Sequence, residues 1–181
     1  SLVVADGLLS RGVFNFSATK DLEAKKISAL SPGNELRLVS SEGSVELGAV
    51  KAGFRSMVTV ESSKTISMSE NGQVVADAVK AVGGRGISLD LRAGTLEAYV
   101  TKGDLWVNEA DALVVEKLEL GGKSIVKAGG DLEIRESSHS GRTSLLVEAG
   151  GNLLAGEINL GALGSLDLRS AGVARSLEGK T

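Results

Sequence analysis

Glycine returns along this chain at the beat of a repeat. The glycines at 33, 43, 53, 72, 94, 103, 122, 130, 141, 151, 161 and 172 stand mostly 8 to 11 residues apart, and the wider gaps are close to double that. Nearly every one opens a run in which apolar and polar residues alternate. Gly43-Ser44-Val45-Glu46-Leu47, Gly86-Ile87-Ser88-Leu89-Asp90-Leu91, Gly130-Asp131-Leu132-Glu133-Ile134 and Gly164-Ser165-Leu166-Asp167-Leu168 are four copies of one phrase. Ala128-Gly129-Gly130-Asp131-Leu132 returns 21 residues later as Ala149-Gly150-Gly151-Asn152-Leu153. Repetition at a fixed short period describes stacked units, none of which buries its apolar side alone.

Period-2 alternation assigns one face of each run to the interior. Leu89, Leu91, Leu105, Val107, Leu118, Leu120, Leu132, Ile134, Leu153, Leu166 and Leu168 are expected to line one continuous core, with Glu46, Asp90, Glu119, Glu133 and Asp167 outside. Outward charges keep such a stack soluble and discourage lateral pairing. Three stretches break the beat. Residues 17–30 are read as two short strands with a bend at Lys25-Lys26, residues 76–84 as a helical turn or irregular coil, and the polar stretch 135–143 as a protruding loop.

Three architectures use strands of this length. An antiparallel meander needs a turn signal at each junction, and only Asn71-Gly72 is a strong one. A membrane β-barrel needs aromatic girdles, which Phe14, Phe16, Phe54, Tyr99 and Trp106 cannot supply. A parallel β-solenoid joins two runs into one coil of about 20 residues and stacks like residues about 4.8 Å apart, which explains the 21-residue echo. The fold expected is therefore an all-β parallel β-helix, about nine coils long.

Composition narrows the chemistry. With 23 acidic and 20 basic residues interspersed over 181 positions, the chain has no basic face for nucleic acid. It has no cysteine, which removes thiolate metal sites, cysteine nucleophiles and disulfides. No cofactor motif is present. Gly122-Lys123-Ser124 lacks the upstream glycine of a phosphate-binding loop, since position 117 is Lys. The glycine-aspartate nonapeptides of calcium-binding rolls are absent. The opening Ser1-Leu2-Val3-Val4-Ala5-Asp6 lacks the basic start of a signal peptide, so residues 1–181 are read as a single solenoid segment cut from a longer repeat protein.

The stretch from Val147 to Leu168, with Lys127-Ala128-Gly129-Gly130-Asp131-Leu132-Glu133-Ile134 and Lys102-Gly103-Asp104-Leu105-Trp106-Val107, resembles the repeats of filamentous haemagglutinin-type exoproteins, the large adhesins of bacterial two-partner secretion. The resemblance implies a right-handed parallel β-helix, part of a secreted or cell-surface rod exported through an outer-membrane transporter. Its partners would be a host-cell or bacterial surface glycan or protein, and end-to-end self-association is a further expectation. The repeat motif is structural, so no binding residue carries over with it. Two other readings stay open: a carbohydrate-active β-helix enzyme, such as a polysaccharide lyase or tailspike-type hydrolase, and a self-polymerising scaffold.

Catalysis finds little purchase in the sequence. His139 is the only histidine, and Ser137, Ser138 and Ser140 around it are loop neighbours rather than a triad. Glu133 with Glu136, and Asp104 with Glu109 and Asp111, are carboxylate groupings that read as outer-face charges. The chain is taken as a non-enzyme. The binding residues expected are Tyr99 and Trp106, outward on consecutive strands around the Lys102-Gly103 bend, with Lys102 and Asn108 beside them. An exposed aromatic face among amides and charges suits a sugar ring or a protein surface. The competing expectation is that residues 76–84 fold over both aromatics.

Overall fold

Every strand pairs in parallel with the strand one turn away in sequence, and no antiparallel pair occurs among the described residues. The computed structural model describes residues 1–4, 6–140, 142–161 and 164–177. The result is a β-solenoid of about eight turns, one fewer than the sequence suggests, with turns about 21 residues apart. At about 4.8 Å per turn the shaft is roughly 38 Å long.

Each turn contributes one strand to each of two ladders. The first ladder runs through Leu22–Ala29, Val45–Ala52, the opening of Thr65–Gly83, the opening of Gly86–Val100, Leu105–Glu109, Lys123–Ala128, Ser144–Ala149 and Ser165–Ser170. The second runs through Val13–Ala18, Glu35–Ser40, Met57–Ser62, 78–83, 95–100, Leu113–Leu120, Leu132–His139 and Leu153–Asn159. The inward side chains stack in columns. Phe14, Leu36, Val58, Val79, Leu96, Val115, Ile134 and Ala155 follow one another in register through the second ladder. A core two strands wide is filled by Leu, Val, Ile and Ala, and large aromatics are left to the first coil and the outside.

In most turns one strand is straight and the other is bent. The bend shows as two adjacent outward residues that reset the alternation: Lys25-Lys26 in Leu22–Ala29, and Arg135-Glu136 in Leu132–His139. Early in the chain the bend belongs to the first ladder, and later to the second. It leaves the first ladder at 86–91, where alternation runs unbroken, and enters the second where Glu116 is inserted between Val115 and Lys117. Turns are shortest at this changeover: Val79 to Leu96 spans 17 residues, against 21 from Ser124 to Leu145.

The same region cuts a corner of the rod. Between the ladders the chain spends residues 53–56 on one turn, then only Asp77, then only Gly94, then 110–112. Two adjacent short corners leave a notch between two ledges. On the lower ledge Arg55 has φ 56°, in register with Gly33 at φ 74° one coil earlier. A left-handed residue other than glycine costs about 1–2 kcal/mol. The Arg55 amide donates to the Asp77 carboxylate, which holds the turn.

Three expectations are corrected. Residues 76–84 are not a coil, because Val79 and Ala81 are buried in the columns and 78–83 pair with both Met57–Ser62 and 95–100. Residues 135–139 are not a loop, because Ser137 replaces a column leucine and pairs with Leu118 and Ile158; Gly141 lies outside the described residues. Leu166 and Leu168 keep the inward register over Leu145 and Val147 but are 39% and 38% exposed, since little described chain covers them. The other nine expected core residues are buried. The Lys25-Lys26 bend is found as expected. Asn71-Gly72 does turn tightly, with Asn71 at φ 59°, but as a four-residue excursion (69–72) within a coil rather than a hairpin between antiparallel strands.

Corner glycines are required by close approach of the coils. A Cβ on Gly150 would lie 2.1 Å from the Gly129 carbonyl oxygen one turn away. Gly150→Ala is expected to lower stability by about 1–3 kcal/mol through overpacking. Leu132→Asp buries an unpaired charge and is expected to abolish the cooperative thermal transition seen by circular dichroism; an unchanged melting temperature would contradict the stacked core.

Candidate functional site

On the first ladder the outward residues after the changeover are not all polar. Ser88, Trp106, Ile125, Leu146 and Asp167 form one outward column, so three successive turns carry apolar side chains on the outside. Trp106 is 37% exposed, and Ile125 and Leu146 are half-buried. The straight strands Leu105–Glu109, Lys123–Ala128 and Ser144–Ala149 make this wall flat, which lets the three side chains form a continuous strip.

Asn108 stands on the same wall, one column over. That column reads Asp90, Asn108, Lys127, Glu148, Arg169. Asn108 Nδ2 donates to Asp90 Oδ1 at 3.0 Å, Lys127 Nζ meets Glu148 at 2.5 Å, and Arg169 Nη1 donates to Glu148 at 3.1 Å. The hydrogen bond from Lys127, with Arg169 behind it, holds the Glu148 carboxyl below its usual range. These exposed pairs add little stability but fix a polar border beside the apolar strip.

Tyr99 belongs to the second ladder, on the adjoining wall, with the exposed Lys102 in the turn between them. Its hydroxyl donates to Glu97 Oε2 at 3.0 Å, and Lys80 Nζ donates to the same oxygen at 2.9 Å while lying 5.0 Å from the ring centroid. Glu97 is held below its usual range first by the Lys80 hydrogen bond. Burial, then Glu97, raises the Tyr99 phenol. Trp106 and Asn108 are thus brought together, whereas Tyr99 is engaged in a charge network of its own. Residues 76–84 cover neither aromatic, since 78–83 lie edge to edge with 95–100 in the same sheet.

The groups that suggested chemistry are occupied structurally. Ser137 is 1% exposed, faces the core, and its Oγ lies 2.7 Å from His139 Nε2. A hydroxyl so placed cannot reach a substrate. His139 itself continues the inward column of Val100 and Leu120, and its Nδ1 is buried without a partner among the described residues. Glu133 is tied to Arg135 at 2.7 Å and Glu136 to Lys117 at 3.2 Å. Asp104 Oδ1 accepts the Lys123 amide at 3.0 Å, and Asp111 pairs with Arg92 at 3.1 Å. No cluster of three metal-ligating side chains occurs among the described residues.

Glu109 is the residue whose placement the outer-face reading missed. It is 2% exposed, inward with Leu105 and Val107, and accepts the Ala93 amide at 2.8 Å and the Asp111 amide at 3.2 Å. The signal was the alternation itself, which assigns position 109 to the interior phase. Burial pushes its carboxyl above the usual range despite those amides.

No protein family matches this chain, and neither a curated protein nor a solved structure matches it.

Two titrations follow from these placements. Burial holds His139 below the usual histidine range, so the unfolded chain takes up the proton first and stability falls as pH drops through that range. Replacing both partners, Ser137→Ala with His139→Leu, restores an apolar column and is expected to leave stability equal or higher while removing that slope. Glu109 acts in the opposite sense. Its stabilising share is present below the usual glutamate range and is lost as pH rises through its raised value, so Glu109→Gln is expected to remove that loss. Chemical denaturation of each variant between about pH 4 and about pH 8 reads both.

Proposed function

We propose that the chain is a shaft segment of a bacterial surface or secreted β-helical exoprotein of the filamentous haemagglutinin type, and that it contributes to adhesion through the Trp106 wall. The observation that carries the reading is the flat outward strip of Trp106, Ile125 and Leu146, bordered by the polar column of Asn108, Lys127 and Glu148, on a rod whose other outward columns are rich in charge. Tryptophan that offers both an apolar ring and a free N–H is favoured where one surface meets another. The rest of the molecule supports a mechanical role. Each turn adds length at nearly constant stability per turn, because it interacts only with its neighbours.

In this reading the protein performs no chemistry of its own. Its partner is a cell-surface glycan or protein, and Lys102 in the turn and Tyr99 on the adjoining wall extend the contact. The parent chain reaches the surface through an outer-membrane transporter.

Trp106→Ala tests the contact. The variant is expected to change stability by about 1 kcal/mol or less, because the ring is partly in solvent, and to reduce attachment of protein-coated beads to cells at least tenfold. Acrylamide should quench the native Trp106 fluorescence. Attachment that survives the substitution, or a Trp106 emission that is blue-shifted and shielded, would remove the reading.

A further inference from the structure

We infer that the notch cut into the corner of the rod at residues 53–56, Asp77, Gly94 and 110–112 is a binding site for a short neutral oligosaccharide, separate from the Trp106 wall. Its walls are built by chain length. Two successive turns cross this corner on a single residue, Asp77 and then Gly94, while the turns on either side spend four and three. The ledges therefore stand three strand spacings apart, roughly 14 Å. The concavity between them is about 530 Å³, inside the range of roughly 300–1,000 Å³ typical of small-molecule sites.

The side chains in it are those that bind a sugar. Phe54 on the lower ledge is 65% exposed, the most exposed aromatic ring of the rod, and Arg55 lies 5.2 Å from its centroid. A ring this exposed at the lip of a concavity suits the C–H face of a pyranose. Opposite it, Arg92 and Asp111 are paired at 3.1 Å with both side chains more than half exposed. Asp77 sits at the short corner between the two ledges. Guanidinium donors next to carboxylate acceptors match the donor and acceptor pairs of adjacent hydroxyls.

Charge balance selects a neutral ligand. Within the notch Arg92 is paired with Asp111 and the Asp77 carboxylate accepts the Arg55 amide, so a charged ligand would meet a like charge or break an existing contact. The buried Glu109 behind the notch spends its two oxygens on the Ala93 and Asp111 amides and fixes the position of the upper ledge.

The backbone supports the same assignment. At the turn position of Arg55 the preceding coil uses Gly33, so a left-handed conformation is needed there and glycine is the residue that suits it. Arginine stands at that position against its own backbone preference, and such outliers cluster at functional sites. Its placement next to Phe54 puts an aromatic face and a fixed cation on one ledge.

Titration calorimetry of the intact chain with cellotriose, maltotriose, mannotriose, galactotriose and chitotriose tests the site. At least one is expected to bind with a dissociation constant of about 1 mM or tighter. Phe54→Ala is expected to weaken that binding at least tenfold with an unchanged melting temperature. Arg55→Gly is expected to weaken it as well while keeping or raising the melting temperature, since glycine suits the turn; this separates loss of a contact from loss of fold. The proposal is overturned if none of the five sugars binds, or if binding survives both substitutions. It is also overturned if binding is lost only in Trp106→Ala, an outcome that assigns the sugar to the other wall and leaves the adhesive reading standing.

Discussion

Parallel main-chain hydrogen bonding between successive turns is the constraint on which the rest of this protein depends. It fixes each turn about one strand spacing from the next and places every residue directly between its counterparts above and below. A side chain must therefore fit a column as well as a site. Inward columns accept Leu, Val, Ile and Ala in any order, as from Phe14 through Leu36, Val58, Val79, Leu96 and Val115 to Ile134. At the corners the approach is closer still, and a Cβ on Gly150 would fall within 2.1 Å of a carbonyl oxygen. The glycine beat in the sequence is the trace of that approach.

At the corners, where the ladders are interrupted, polar side chains take up main-chain groups. Asn34, fully buried, donates to the Ser10 and Ala29 carbonyls, accepts the Gly12 amide, and through its own amide reaches Ser56. Glu109 does the same for Ala93 and Asp111 where the corner widens again. Asp21, Asp104, Asp131 and Asn152 each cap a backbone amide one turn on, at Ser44, Lys123, Asn152 and Val173. Most of these polar groups bond the backbone of their own or an adjacent turn. Their spacing is the repeat.

Much of the fold is legible in the sequence for this reason. Alternation identifies Leu89, Leu91, Leu105, Val107 and Leu132 as inward, and the structure buries them all. The misreadings come from residues whose type disguises their phase. Ser137 and His139 look like loop residues, yet they stand in register with Leu118 and Leu120 and Ser137 Oγ pairs with His139 Nε2. Glu109 looks like a surface charge, but it follows Leu105 and Val107 at the inward interval. Ala76 to Gly84 is apolar and glycine-rich enough to suggest a coil, whereas small residues are what two closely packed turns accept. Of the candidate site, the outward phase of Trp106 and Asn108 is readable from one strand. The strip they border is not, because Ile125 and Leu146 join Trp106 only through turn-to-turn register. The notch is invisible for a related reason, since a cut corner is a difference in length between turns.

Because a turn touches only its neighbours, the outside of such a rod is free where the inside is not. An outward residue answers to two counterparts in its column and to solvent, so one wall can carry Trp106 and another Phe54 without either altering the core that supports both. The cost is local. Apolar strips invite unwanted pairing, and a cut corner removes main-chain bonds that Glu109 must restore. The notch lies at the turns where the bend passes from one ladder to the other, where the inserted Glu116 and the 17-residue turn already break the register. The Trp106 strip lies on the turns just beyond, where the first ladder runs straight and in unbroken register. Regular turns thus supply length and flat walls, and the irregular ones supply concave shape.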